Sequence, residues 1–203
     1  MPRSDADGRL LAAAAAGDAA AIRAALAGGA DPDARDAAGS PALMLATVAR
    51  APDAVRALID AEADVDEQDA ERFNPLLYAG AEGLLEILTL VNEAGADPAL
   101  TNRYGGVALI PASERGHVDV VHYLLSETDV DVDHVNDLGW TALLEAILLS
   151  DGGPRQQSIV ALLIEHGADV DLADGDGVRP LAHARARGQT AIVAMLEAAG
   201  ARP

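Results

Sequence analysis

Cysteine and lysine are both missing from this chain of 203 residues. Without cysteine, neither a disulfide framework nor a thiolate metal site can form. Every one of the 14 basic residues is arginine, set against 33 acidic residues for a formal charge of −19. A balance so acidic repels a phosphate backbone and an anionic bilayer alike, so partnership with nucleic acid or a membrane surface is not expected. Aromatics are nearly absent too: Phe73, Tyr78, Tyr104, Tyr123 and Trp140 are all there are. A core without large rings must be filled with Ala, Leu, Val and Ile, which suits thin layers of small helices. No apolar run is long enough for a membrane span. Arg3 ahead of Leu10–Ala16 has a faint look of a secretion signal, but Asp5 and Asp7 precede a minimal apolar run, so a cytoplasmic location is expected.

What the sequence does have is a period. Leu10, Leu43, Leu76, Leu109, Leu143 and Leu181 occupy one phase, with steps of 33, 33, 33, 34 and 38 residues. A second marker keeps the same phase: Gly29-Ala30-Asp31, Glu62-Ala63-Asp64, Gly95-Ala96-Asp97 and Gly167-Ala168-Asp169. Self-similarity at such a period denotes a stack of supersecondary units, each unable to bury its apolar face alone. Pro75 and Pro180 suit a helix start, where the missing amide would have no intrahelical partner. Gly83, Gly116 and Gly188 suit a helix end in the left-handed region. Val118, Val121, Leu124 and Leu125 have helical spacing, and Ala13, Ala46, Ala79, Ala112, Ala146 and Ala184 recur where close helix approach needs a small side chain.

Asn136, Gly139, Thr141 and Leu143, with Gly116-His117 ahead of Val120-Val121 and Leu124-Leu125, resemble the ankyrin-repeat pattern. The chain is similar to stand-alone bacterial ankyrin-repeat proteins from end to end. It departs where no unit keeps the whole Thr-Pro-Leu-His run, and where Arg50 and Glu62 replace expected glycines. The resemblance implies an all-α fold, an ankyrin-repeat solenoid of about six helix-turn-helix units joined by hairpin-like loops. A single domain over 1–203 is expected, with units near 5–35, 36–68, 69–101, 102–135, 136–173 and 174–203. The first and last units read as caps. Leu148–Gln157 carries five more residues than its siblings, so Ser150–Pro154 should lengthen the loop between the helices of the fifth unit.

The resemblance also implies a non-catalytic scaffold that binds another protein on its concave side, made of hairpin tips and first helices. The third and fifth positions of the successive tips are Ala38 and Ser40, Glu71 and Phe73, Tyr104 and Gly106, Leu138 and Trp140, and Asp176 and Val178. Three of the five aromatics fall there, and exposed rings are what interface hot spots are made of. The expected partner-binding residues are Glu71, Arg72, Phe73, Arg103, Tyr104, Glu114, Arg115, Leu138 and Trp140. The alternative for the rings is packing against neighbouring hairpins.

No cofactor is expected, and a capped array has no need to dimerise, so a monomer is expected. Asp129, Asp131, Asp133 and His134 lack the Gly and Glu that a calcium loop requires. His117, His122, His134, His166 and His183 show no metal-binding spacing, and Tyr104-Gly105-Gly106 lacks the residues of a phosphate loop. Two alternatives stand beside the scaffold. One is an accessory factor for another enzyme, since some proteins resembling this one are linked to oxidative-stress defence. The other is a hydrolase built on Glu114, Arg115, Glu145 and Asp151, which a closed pocket with raised pKa values would favour.

Overall fold

A computed structural model describes residues 5–202, and their regular structure is helical throughout, with one isolated β-bridge between Arg35 and Pro41. Twelve short helices follow one another in pairs: α1 (Asp5–Ala16) with α2 (Ala19–Ala27), α3 (Ala42–Val48) with α4 (Pro52–Ile59), and α5 (Pro75–Glu82) with α6 (Leu85–Glu93). Next come α7 (Leu109–Glu114) with α8 (Val118–Glu127), α9 (Ala142–Leu148) with α10 (Pro154–Glu165), and α11 (Pro180–Ala186) with α12 (Thr190–Ala198). None of the described helices is long and apolar enough to cross a membrane.

Two compact units are distinguishable. The first comprises the described residues up to Ala79 together with Leu84–Leu100, and the second comprises Gly80–Gly83 and Thr101 onward. Within the first, α1 packs on α2 and α3, and α4 on α2, α3 and α6. Within the second, α7 packs on α8 and α9, α10 on α8, α9 and α12, and α11 on α9 and α12. The phased leucines are the hubs of this packing: each of the six is at most 1% exposed. The phased alanines are buried with them, which lets the backbones approach.

Between first and second helices the chain turns through left-handed backbone at Gly17, Gly83, Gly116 and Gly188. Where glycine is missing the conformation persists, at Arg50 (φ 56°) between α3 and α4 and at Glu62 (φ 63°) after α4. Stacking of the flanking helices therefore overrides a local preference worth about 1 kcal/mol. The extra residues of the fifth pair form the loop 149–153, which ends one residue earlier than expected because Pro154 opens α10. That loop is tied down by Gln189, whose Nε2 donates to the carbonyl oxygens of Ile147 at 3.0 Å and Ser150 at 3.3 Å.

The aspartates after each second helix hold successive repeats in register. The Oδ1 atoms of Asp31, Asp64, Asp97, Asp131 and Asp169 each accept from the amide two residues on, closing the local turn. The second acid then reaches the next repeat: Asp33 accepts from Asp64 N at 2.8 Å, Asp66 from Asp97 N at 2.9 Å, and Asp133 from Asp169 N at 2.9 Å. Within Asp129–Asp133, Asp131 and Asp133 both accept from backbone amides.

Candidate functional site

Each hairpin begins with Asp or Asn because a short side-chain oxygen there can accept two backbone amides and close the turn. Asp36, Asp69, Asn102, Asn136 and Asp174 all do so, each Oδ1 accepting from the residues two and four positions on at 2.8–3.1 Å. This geometry sorts the tip positions. Third-position residues Ala38, Glu71, Tyr104, Leu138 and Asp176 are exposed, whereas the fifth-position residues Ser40, Phe73, Trp140 and Val178 are half-buried and Gly106 is buried. Sequence alone treated the two positions as equivalent. The structure separates them although both amides donate to the turn's first side chain: the fifth residue leads directly into the first helix of its repeat, while the third lies at the far side of the turn.

In the first unit the expected site residues Glu71 and Arg72 are exposed, and Arg72 has φ 60° at the crest of its turn. Phe73 meets Tyr78 of α5 edge to face, with ring centroids 6.3 Å apart and planes at 84°. That contact accounts for Phe73 by packing.

The second unit presents a different surface. Tyr104 is 51% exposed and Leu138 is 58% exposed, at equivalent places on adjacent tips. Those tips are zipped together: Asp137 N donates to Tyr104 O at 2.9 Å, and His134 Nε2 donates to Gly105 O at 2.7 Å. The approach is so close that a Cβ on Gly105, whose φ is 71°, would lie 2.5 Å from Asp137 Oδ1. Arg103 lies over the Tyr104 ring, its Cζ 4.8 Å from the centroid, and donates to the phenol oxygen at 2.6 Å. The result is an apolar pair on a stiffened support. Trp140, two residues after Leu138 on the same tip, is half-buried.

Below the tips lie the first helices. Asn136 joins the two levels: its Oδ1 caps the tip bearing Leu138 and Trp140, while its Nδ2 donates to Glu145 Oε1 on α9 at 2.9 Å. Burial, reinforced by the negative charge of Glu114, pushes the Glu145 carboxyl up to about 7. Arg115 is turned away from this pair, its Nη1 donating to Glu82 Oε1 at 2.5 Å and to Ala81 O at 3.0 Å. Asp151 is exposed in the loop after α9 and accepts from Gly153 N at 2.8 Å. In the next repeat His183 occupies the place of Glu145 and Asp174 that of Asn136. His183 Nε2 donates to Asp174 Oδ2 at 2.7 Å, and the Val178 amide with this imidazole holds the Asp174 carboxyl below its usual range.

A family model described as ankyrin repeats, in three copies, matches residues 10–102, 87–174 and 109–203. The chain belongs to the ankyrin-repeat family. Among its ankyrin relatives, the YahD protein of Escherichia coli (strain K12) is 44% identical over 191 residues, which cover 94% of this chain and 95% of YahD. A crystal structure of an ankyrin repeat domain from Acinetobacter baumannii AYE superposes with a TM-score of 0.92 at 52% identity, covering 95% of this chain and 98% of that one. The ankyrin repeat domain of Bcl-3, of the IkappaB family, superposes with a TM-score of 0.87 at 26% identity over 98% of this chain and 89% of that one. Ankyrin repeats are in general protein–protein interaction modules. Asn136 was legible as a match to the ankyrin turn; its second role, tying the tip to the Glu145 carboxylate, was not, because the two residues meet only when the hairpin folds down onto α9.

Proposed function

We propose that the protein is a non-catalytic scaffold whose hairpin tips and first helices hold a partner protein. In this reading a single copy works in the cytoplasm without a cofactor. The observation that carries it is the pair of large apolar side chains, Tyr104 and Leu138, displayed on adjacent hydrogen-bonded tips. Apolar groups held rigidly in water lose little conformational freedom on binding, so most of their burial appears as affinity. Arg103 lies against Tyr104, and Trp140, Glu114 and Arg115 complete the proposed surface of the second unit. Glu71, Arg72 and Phe73 supply a separate patch in the first, in which Phe73 stiffens the tip and Glu71 and Arg72 make the contact.

Affinity capture tests the reading. The intact chain and a Y104S/L138S variant are used as bait against lysate of the source organism, after circular dichroism has shown equal helix content. A specific binder captured by the first and lost by the second is the expected result. The same capture list from both would remove the tips from the binding surface.

A further inference from the structure

We propose that the Tyr104–Leu138 tips and the Glu114–Glu145 carboxylates of the second unit together dock a basic, extended segment of the partner. An aliphatic side chain of that segment lies on the tips, and an Arg or Lys lies beside Glu114. This rests on the scaffold reading above and adds the chemistry of what is bound.

Charge complementarity selects the occupant. The tips expose apolar surface, with Arg103 laid against the Tyr104 ring, and the first helices carry two carboxylates, neither of them ion-paired among the described residues. Glu114 is half-exposed and makes no hydrogen bond or ion pair among the described residues; Glu145 is 5% exposed and accepts its hydrogen bond from the neutral Asn136 amide. The nearest basic residue in sequence, Arg115, is held by Glu82 and Ala81 O instead. The raised pKa of Glu145 expresses the same deficit: its negative charge is buried beside another without a counter-charge. A cation from outside would supply that counter-charge, while an acidic segment would add a third like charge.

Tips and carboxylates belong to one support. Asn136 bonds both to the backbone of the tip carrying Leu138 and to the side chain of Glu145, so the apolar and acidic parts are connected through a single buried side chain. The Asp137–Tyr104 bond extends that connection to the neighbouring tip. An extended segment presents side chains alternately to opposite faces, so an apolar and a basic residue two positions apart can engage the same wall.

The test is selection of a random-peptide display library on the immobilised chain, followed by measured affinities of the selected peptides. Because a net charge of −19 attracts cations indiscriminately, the deciding comparison uses charge-matched variants. E114Q/E145Q removes the proposed carboxylates, whereas E93Q/E165Q removes two exposed ones elsewhere. The expected pool pairs Arg or Lys with Leu, Ile or Val. Its binding should weaken about tenfold in E114Q/E145Q and by less than about twofold in E93Q/E165Q, and vanish in Y104S/L138S. Equal weakening by the two Gln pairs, or selected peptides without basic residues that still need Tyr104 and Leu138, would overturn the basic-segment inference and leave the scaffold reading intact. Selected peptides indifferent to Y104S/L138S would overturn both.

Discussion

At the scale of single residues, two side chains are kept in conditions they would not choose alone. Glu145 has its carboxyl pushed up from 4.5 to about 7, first by burial and then by Glu114. A carboxyl whose folded pKa lies above its unfolded value holds its proton more tightly in the native state. Its effect on stability therefore runs downhill as pH climbs through the window from about 4.5 to 7. E145Q should flatten that decline by on the order of 1–2 kcal/mol, read as unfolding midpoints of the two proteins between pH 4.5 and pH 8. Parallel pH profiles would show that the carboxyl is solvated like any other. Glu62 is the second case, an exposed non-glycine residue at φ 63°. E62G should raise stability by about 0.5–1 kcal/mol, because only glycine takes that backbone without strain. A lower melting temperature for E62G would mean that the entropy lost by glycine outweighs the strain relieved.

At the scale of elements, none of the described helices exceeds 12 residues, and helices so short are marginal in isolation. Their persistence reflects stacking and the aspartate contacts that run from one repeat to the next. D133A should cost about 1 kcal/mol, since it leaves the Asp169 amide without its 2.9 Å acceptor, whereas D133N keeps an oxygen in place and should cost less. Chemical denaturation of the three proteins decides it, and equal loss in both variants would assign the effect to charge instead of the hydrogen bond. The hairpins obey the same economy of local bonds. Their first-position Asp or Asn was readable in the sequence as turn chemistry. Which of the next residues would face water was not, because that depends on how the closed turn lies against its first helix. Hence Phe73 and Trp140, expected on the exposed crest, are half-buried, while Tyr104 and Leu138 take the outer position.

For the molecule as a whole, the dominant quantity is charge. Thirty-three acids against 14 arginines give a self-repulsion that salt screens, with a Debye length near 10 Å at about 0.1 M. Raising sodium chloride from about 10 mM to about 500 mM should therefore raise the melting temperature by a few degrees. A fall would mean that attractive pairs such as Arg35–Glu67 and Arg202–Asp171 outweigh the excess of negative charge. The same excess makes basic partners the favoured ones on encounter, before any contact discriminates among them.

The order of helices, the repeat phase, the buried leucines and alanines and the place of the longer loop all follow from the sequence, since a period of 33 leaves each unit only one apolar face to bury and one kind of neighbour to bury it against. The tertiary structure alone decided which tip residues remain outside, that Arg115 is engaged by Glu82, and that Glu145 loses solvent while it gains Glu114 as a neighbour. Those outcomes depend on contacts between residues far apart in the chain, where burial and charge are set by the company the fold provides.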